Sequence, residues 1–309
     1  SVPECDVMEK LLQGLQENFH FSPNAEITIE ANPGTLTSEK LALYRKYGIN
    51  RISIGLQSPK DEELEVLGRI HNYRQFLESY QMAREAGFSN INVDMMFAIP
   101  GQSYEGWIEN LRTVAELGPE HISAYSLIVE EGTPFSKREL ELPDEDTEYR
   151  MYEDVAKVLG EYDYRQYEIS NYAKENRECR HNEGYWQRKD YLGLGLGAAS
   201  LIGNERFTNT RDMQEYLENS GGPERIRKDR EVLTEKDEMA EFMFLGLRMT
   251  EGVSKAEFQE YFGNAVEKIY GEVLEKYKHQ GMLAEKENRI FLTRAGIHVS
   301  NVVMADFLL

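Results

Sequence analysis

The chain is poor in cysteine. Its 309 residues carry only two, Cys5 and Cys179. Two thiols so placed form no disulfide framework, and such sparse use points to a reducing, cytosolic compartment. Long apolar runs are missing as well. No stretch approaches the roughly twenty apolar residues a transmembrane helix needs, which leaves at most peripheral membrane contact. No basic segment followed by an apolar one opens the chain, so no secretory signal is expected. Basic residues are scarce: 35 Lys and Arg stand against 55 Asp and Glu, for a formal charge of −20. That balance repels nucleic acid and anionic surfaces, although a local basic pocket can still hold an anionic ligand. Internal repeats and low-complexity tracts are absent too.

What is present is a strand–helix alternation. With 40% hydrophobic residues, the chain is long enough for two domains, or one large and one small. VMEKLLQGLQENF (7–19) has helical spacing, and EITIEAN (26–32) alternates as a strand that ends at Pro33–Gly34. SEKLALYRKYG (38–48) reads as a helix, N-capped by Thr37 and closed by Gly48. RISIGLQS (51–58), INVDMMFAIPG (91–101) and HISAYSLIV (121–129) are further strands. Helical patterns fill 60–87, with a break near 70–72, then 104–118 and 144–162. Strands separated by helices imply parallel βαβ units, and so a (β/α) barrel or part of one. The chain opens at Ser1 with a helix and no strand before it, so a fragment lacking the first strands is expected.

On this pattern 1–163 is a partial barrel, 164–230 an irregular segment closing its mouth, and 231–309 a helical module. The last region reads helix, helix, helix, hairpin (282–293), helix, the order of a winged-helix-like fold. Its excess of acids favours protein or intramolecular packing over DNA. A barrel without its first strands exposes sheet edges, so destabilisation or self-association as a homodimer is expected.

In a parallel barrel the active site lies at the C-terminal ends of the strands. Glu30, Ser53, Gly55, Gln57, Asp94, Tyr125 and Ser126 lie on the strand segments, and Arg69 lies in LGRIHN (67–72). A strand buried on both faces should be almost continuously apolar, and these are not. One explanation is an internal ion pair of Glu30 or Asp94 with Arg69. The other is a ligand bearing an ammonium for the acids and a carboxylate for Arg69.

The run TIEANPGT…GINRISIGLQS…LGRIHN…INVDMMFAIPGQ…EHISAYSLIVEEGTPF resembles the radical S-adenosylmethionine proteins of the oxygen-independent coproporphyrinogen III oxidase family. The likeness continues through YEISNYA, RECRHNEGYW and DYLGLGLGAAS to the C-terminal module. Its HNxxYW run is similar to that of the HemW-type haem chaperones. The resemblance implies a radical S-adenosylmethionine barrel. It places Glu30, Ser53, Gly55, Gln57, Arg69, Asp94 and Tyr125 around that cofactor, Met96 beside it, Asp94 on the ribose hydroxyls and Arg69 on the methionine carboxylate. It also implies a 4Fe-4S cluster on a CxxxCxxC motif and a Gly-Gly-Gly-Thr-Pro segment. Neither is in this sequence, so this chain is expected to bind no cluster and run no radical chemistry.

RECRHNEGYW (177–186) is no zinc site, since one Cys and one His fall short of four ligands. The resemblance makes His181 a haem-iron ligand, accompanied by Asn182, Tyr185 and Trp186. The plain alternative is that the two aromatics are core and His181 is merely hydrogen-bonded. GLGLGAAS (193–200) lacks the G-x-G-x-x-G spacing of a dinucleotide loop and reads as a tight backbone passage beside a flat ligand or the barrel mouth. Relatives often carry a histidine where Ala199 stands, so no second axial ligand is expected there. The leading expectation is a haem chaperone that hands haem to haem-requiring proteins. The runner-up is coproporphyrinogen III dehydrogenase, which decarboxylates two propionates.

Overall fold

Period-two alternation in the early strands becomes a sheet with one polar and one apolar face. In the computed structural model, which describes residues 2–133 and 135–308, the chain divides into two compact units, Ser1–Cys179 and Arg180–Leu309. The division falls inside the stretch whose composition reads as irregular.

The first unit runs α1 (Cys5–Asn18), β1 (Thr28–Ala31), α2 (Ser38–Lys46), β2 (Arg51–Gln57), α3 (Asp61–Val66), α4 (Tyr73–Glu85) and β3 (Ile91–Phe97). It continues with α5 (Tyr104–Glu116), β4 (His121–Ser126), α6 (Glu145–Gly160), β5 (Arg165–Glu168) and β6 (Asn171–Ala173). β1 to β4 pair in parallel, as the alternation with helices requires. The six-stranded order is β1-β2-β3-β4-β6-β5, and β6 runs antiparallel to β4. The sheet is open, so it is part of a barrel rather than a closed one.

Local signals set the boundaries. The Thr37 hydroxyl accepts from Lys40 N at 3.2 Å and caps α2. Gly48 ends that helical stretch at φ +82°, where an L side chain would be strained. The break expected near 70–72 is the Asn72–Gln75 capping box that starts α4. Ile52, Ile54, Leu56, Ile91, Val93, Met95 and Ile122 are fully buried against the helices. Each such side chain contributes about 1.5–3 kcal/mol. The opposite face carries residues 51, 53, 55 and 57 of β2, 92, 94 and 96 of β3, and 121, 123 and 125 of β4, with 53, 92 and 121 paired across the strands, as are 94 with 123 and 96 with 125. A partial barrel keeps this face for its interior, which is why the strands are not continuously apolar.

Residues 164–230 are more ordered than their Tyr-, Asn- and Gly-rich composition indicates. β5 and β6 extend the first sheet. α7 (Arg180–Trp186), β7 (Ala199–Ile202), β8 (Glu205–Asn209), α8 (Met213–Asn219), α9 (Pro223–Ile226) and β9 (Arg227–Val232) follow, with β7-β8-β9 forming an antiparallel sheet. These strands are short and carry polar residues beside glycine-rich loops, so local composition hides them.

The second unit continues through α10 (Glu235–Gly246), β10 (Val253–Ser254), α11 (Lys255–Phe262), α12 (Val266–His279), β11 (Leu283–Lys286), β12 (Arg289–Leu292), α13 (Arg294–His298) and α14 (Ser300–Ala305). The expected three helices and hairpin are all present, and β10 adds a third strand in the order β10-β12-β11. Phe258, Tyr270, Leu274 and Phe307 fill this module's core. Among the described residues no helix is long and apolar enough to cross a membrane.

Candidate functional site

The strand register gathers polar side chains on one face. Glu30 pairs with Ser53, Ser53 with Asn92, and Asn92 with His121, in adjacent strands. Asp94 sits two residues beyond Asn92 on the same side and pairs with Ser123 of β4. Its Oδ1 accepts from Asn92 Nδ2 at 2.7 Å, and its Oδ2 from Ser53 Oγ at 3.3 Å. Asn92 Nδ2 also reaches Ser53 Oγ at 2.9 Å. At the strand ends Tyr125 donates to Gln57 Oε1 at 3.0 Å. Gln57 takes the left-handed φ of +71°, where β2 departs from its register with β3. A non-glycine residue held there is strained, and such strain gathers at functional positions. Gly55 lies between these groups. A Cβ on it would stand 3.3 Å from Gln57 Nε2 and 3.9 Å from Asp94 Oδ2, so glycine keeps the floor low.

The electrostatics follow from this placement. Burial pushes the Asp94 carboxyl above the usual carboxylate range; hydrogen bonds from Asn92, Ser123 and Ser53 oppose that rise, and the Glu30 charge adds to it. Tyr125 is pushed up to about 12, chiefly by burial and then by Asp94, while Gln57 and the Arg69 charge act against the shift. Glu30 and Arg69, both exposed, therefore flank the same phenol from different elements. Among the described residues Asp94 is held by these neutral donors rather than by Arg69, so the ion-pair explanation fails for Asp94. Met96 is half-buried one step further along β3.

The base of this face holds polar groups beyond the candidates named from the sequence. His121 is fully buried, with Nδ1 2.5 Å from Asn92 Oδ1 and Nε2 2.8 Å from the Tyr167 hydroxyl. Ser123 donates to Asn92 Oδ1 at 3.2 Å, and Cys179 N donates to the Tyr167 oxygen at 3.2 Å. The available signal was spacing: His121, Ser123 and Tyr125 recur every second residue, as Asn92, Asp94 and Met96 do.

The second group of residues lies on α7 in the second unit. His181 is exposed, and its ring meets Tyr185 edge-on at 4.6 Å, one helical turn away. Tyr185 meets Tyr191 in the same way at 4.7 Å. Asn182 is half-buried on the same helix. Trp186 points elsewhere. Its ring lies under the Arg248 guanidinium at 4.2 Å, and its buried indole N–H has no hydrogen-bond partner among the described residues. It borders a cavity of about 620 Å³ shared with Phe242, Met249, Tyr261 and Phe262. Leu192, Leu194 and Leu196 are exposed in the glycine-rich stretch after Tyr191. The tight passage expected there exists: a Cβ on Gly193 would collide with the Ala199 carbonyl, and Asn209 Nδ2 donates to Gly195 O at 2.8 Å.

The residues of the first face fit a nucleoside that carries an amino acid. Asp94 can accept from vicinal hydroxyls, the Arg69 guanidinium can donate to a carboxylate, and Gly55 keeps space open beside Asp94 and Gln57. A 4Fe-4S cluster does not fit. The chain has two cysteines, Cys5 and Cys179, fewer than the three thiolates such a cluster needs, and among the described residues no three His, Cys, Asp or Glu side chains form a metal-holding group.

Comparison with known proteins gives the following similarities. Residues 4–114 match the family model described as Radical SAM superfamily, and residues 233–299 match the HemN C-terminal domain. The heme chaperone HemW of Bacillus subtilis (strain 168) is 39% identical over 291 residues, covering 92% of this chain and 76% of that protein. The heme chaperone HemW of Lactococcus lactis is 35% identical over 313 residues, covering 100% and 82%. The one from Escherichia coli (strain K12) is 34% identical over 306 residues, covering 97% and 79%. Among solved structures, coproporphyrinogen III oxidase (HemN) from Escherichia coli superposes with a TM-score of 0.86 at 21% identity, over 99% of this chain and 75% of that one. At that identity the likeness is one of fold.

Proposed function

The chain belongs to the HemW family of radical S-adenosylmethionine proteins, and from that premise we propose that it binds haem and passes it to haem-requiring proteins. The observation that carries this reading is the exposed His181 imidazole, braced edge-on by Tyr185 and through it by Tyr191. Imidazole is a common axial ligand of haem iron. A ring fixed by aromatic contacts loses little freedom when it binds. The exposed leucines after Tyr191 supply apolar surface suited to a flat macrocycle. Asn182 completes the polar side of α7. Trp186, turned toward Arg248, supports the helix rather than stacking on the ligand.

In this reading the polar sheet face holds S-adenosylmethionine. Asp94 accepts the ribose hydroxyls, Arg69 pairs with the methionine carboxylate, and Glu30 faces the ammonium. Gln57, steadied by Tyr125, lines the mouth with Ser53 and Gly55. Bound there, S-adenosylmethionine supplies a cationic nucleoside whose presence regulates or enables transfer. The oxidase alternative has no observation of its own, since that likeness is one of fold. The acid excess disfavours DNA as the partner of the winged module.

The test is a haemin titration of the whole chain, followed in the Soret band beside His181→Ala. Saturation near one equivalent, weakened roughly tenfold or more in the variant, is expected from loss of an axial ligand worth at least about 1.4 kcal/mol. Identical titrations of the two proteins would remove His181 from the site, and no saturable binding by the wild type would remove the haem reading for this chain.

A further inference from the structure

The buried base of the polar face forms a hydrogen-bond chain whose direction can be worked out donor by donor. The Asn92 atom 2.7 Å from the Asp94 carboxylate must be its amide nitrogen, because a carboxylate only accepts. The amide oxygen of Asn92 therefore faces His121 Nδ1 at 2.5 Å and Ser123 Oγ at 3.2 Å. An amide oxygen cannot donate, so Nδ1 carries the proton. Burial, and then the Arg51 charge, push His121 well below its usual pKa, so the ring is neutral and Nε2 is bare. Nε2 accepts from the Tyr167 hydroxyl at 2.8 Å, a phenol that burial keeps protonated. The Tyr167 oxygen in turn accepts from Cys179 N at 3.2 Å. Every donor points one way, from the Cys179 amide to the Asp94 carboxylate.

We propose that His121 and Tyr167 are positioning residues: through the ring tautomer they fix which way the Asn92 amide faces, and so keep the Asp94 carboxylate supplied with a donor for binding ribose. The proposal rests on the reading of this face as the nucleoside site and adds to it the residues that prepare the ribose-binding acid. Neither residue reaches Asp94 directly. Without the Tyr167 hydroxyl, Nε2 loses its donor and the Nε2–H tautomer becomes accessible. Nδ1 is then bare and repels Asn92 Oδ1. A flip of the amide relieves this clash but sets its oxygen against Asp94, which then holds its proton to higher pH. The other groups around the site are Glu30 on β1, Arg51 and Ser53 on β2, Ser123 and Tyr125 on β4, and Arg69 ahead of α4. Of these, Ser53 and Ser123 bond the Asn92 amide and must turn their hydroxyls with it, while the charges of Glu30, Arg51 and Arg69 do not change in that exchange.

The experiment uses the whole chain labelled with 15N-histidine and 13C-aspartate, read by NMR between about pH 4 and 9. The wild type, Tyr167→Phe and Tyr164→Phe are compared. Tyr164 is a buried tyrosine whose hydroxyl bonds Pro119 O, away from the chain of donors, so it controls for simple loss of a buried hydroxyl. Expected are the Nδ1–H tautomer of His121 in the wild type, and an Asp94 midpoint raised by about one pH unit in Tyr167→Phe but unmoved in Tyr164→Phe. An Nε2–H tautomer in the wild type, or an Asp94 midpoint unmoved in Tyr167→Phe, would overturn the proposal. Titration with S-adenosylhomocysteine then tests the nucleoside reading separately. A wild type that shows the expected tautomer and midpoint shift yet binds none of it overturns that reading and leaves the donor chain standing.

Discussion

The Tyr125 hydroxyl reaches across β3 to Gln57 Oε1 at 3.0 Å, joining the ends of β4 and β2 over the strand that carries Asp94. Gln57 sits at a backbone angle that few side chains tolerate, and this bond fixes where its amide points.

The first prediction follows from that bond. Tyr125→Phe removes the donor, frees the Gln57 amide, and is expected to weaken S-adenosylmethionine or S-adenosylhomocysteine binding roughly five- to tenfold, the scale of one hydrogen bond of about 1–1.5 kcal/mol. Because Tyr125 is pushed up to about 12, the wild-type affinity should show no tyrosine-linked step below about pH 11. Isothermal titration of the two proteins across pH would check both statements. Equal affinities would mean that the bond plays no part in binding.

Asp94 yields a prediction of opposite sign for stability and for function. Its pKa is raised in the folded chain, so ionising it there costs free energy that ionising it in the unfolded chain does not. The native state is favoured below the unfolded-state pKa. That advantage is lost as pH rises toward the folded-state value, above which the penalty is constant. At neutral pH Asp94→Asn is therefore expected to stabilise the protein by about 1 kcal/mol, the usual scale for relieving a functional-site constraint. It should abolish discrimination between ribo- and deoxyribonucleosides at the same time. Melting temperatures at pH 7 and near pH 4 would show a gain that shrinks with acidity.

Much of this site could be read in advance because strands repeat every two residues. Residues 51, 53, 55 and 57 carry polar or small groups while 52, 54 and 56 are aliphatic, so RISIGLQ names its own two faces. The same rule finds Asn92 and Asp94. It brings His121 onto the face too, but only once β4 is known to pair with β3 in that register. Tyr167 could not be found this way, because β5 and β6 are short and antiparallel and their place in the sheet depends on a strand some fifty residues away. The divided roles of the HNEGYW residues were hidden for a related reason. Helical spacing puts His181 and Tyr185 on one face, but which way Trp186 turns depends on Arg248, far along the chain.

Gly252 offers a test of packing in the winged module. Its φ is +67°, and a Cβ there would collide with the Ile290 carbonyl of β12, where β10 joins the hairpin. Gly252→Ala combines backbone strain with overpacking and is expected to cost about 2–4 kcal/mol. Denaturant unfolding would measure it. The three-stranded sheet should lose amide protection at Val253 and Ile290 before the first unit does.

Glu241 is a buried charge of the second unit held by two arginines. It is 6% exposed in its side chain and binds two guanidinium groups, Arg188 Nε at 2.8 Å and Arg206 on β8. Arg188 also pairs with Glu238 at 3.0 Å and is itself largely buried, and its backbone takes φ +52° directly after the α7 segment. Removing the shared acid leaves two positive charges facing each other with one remaining partner, so the cost comes from stranded charge rather than from lost attraction alone. Glu241→Ala is expected to destabilise this unit by about 3 kcal/mol, within the range for breaking a buried pair. Glu241→Gln should recover part of that, because the amide oxygen can still accept from one arginine. If haem binding depends on how α7 is held, haemin affinity should fall in step with stability in both variants, and Arg188→Leu in the Glu241→Ala background should restore stability by removing one stranded charge. A double variant no more stable than Glu241→Ala would show that packing around Glu241, not the charge on Arg188, sets the cost.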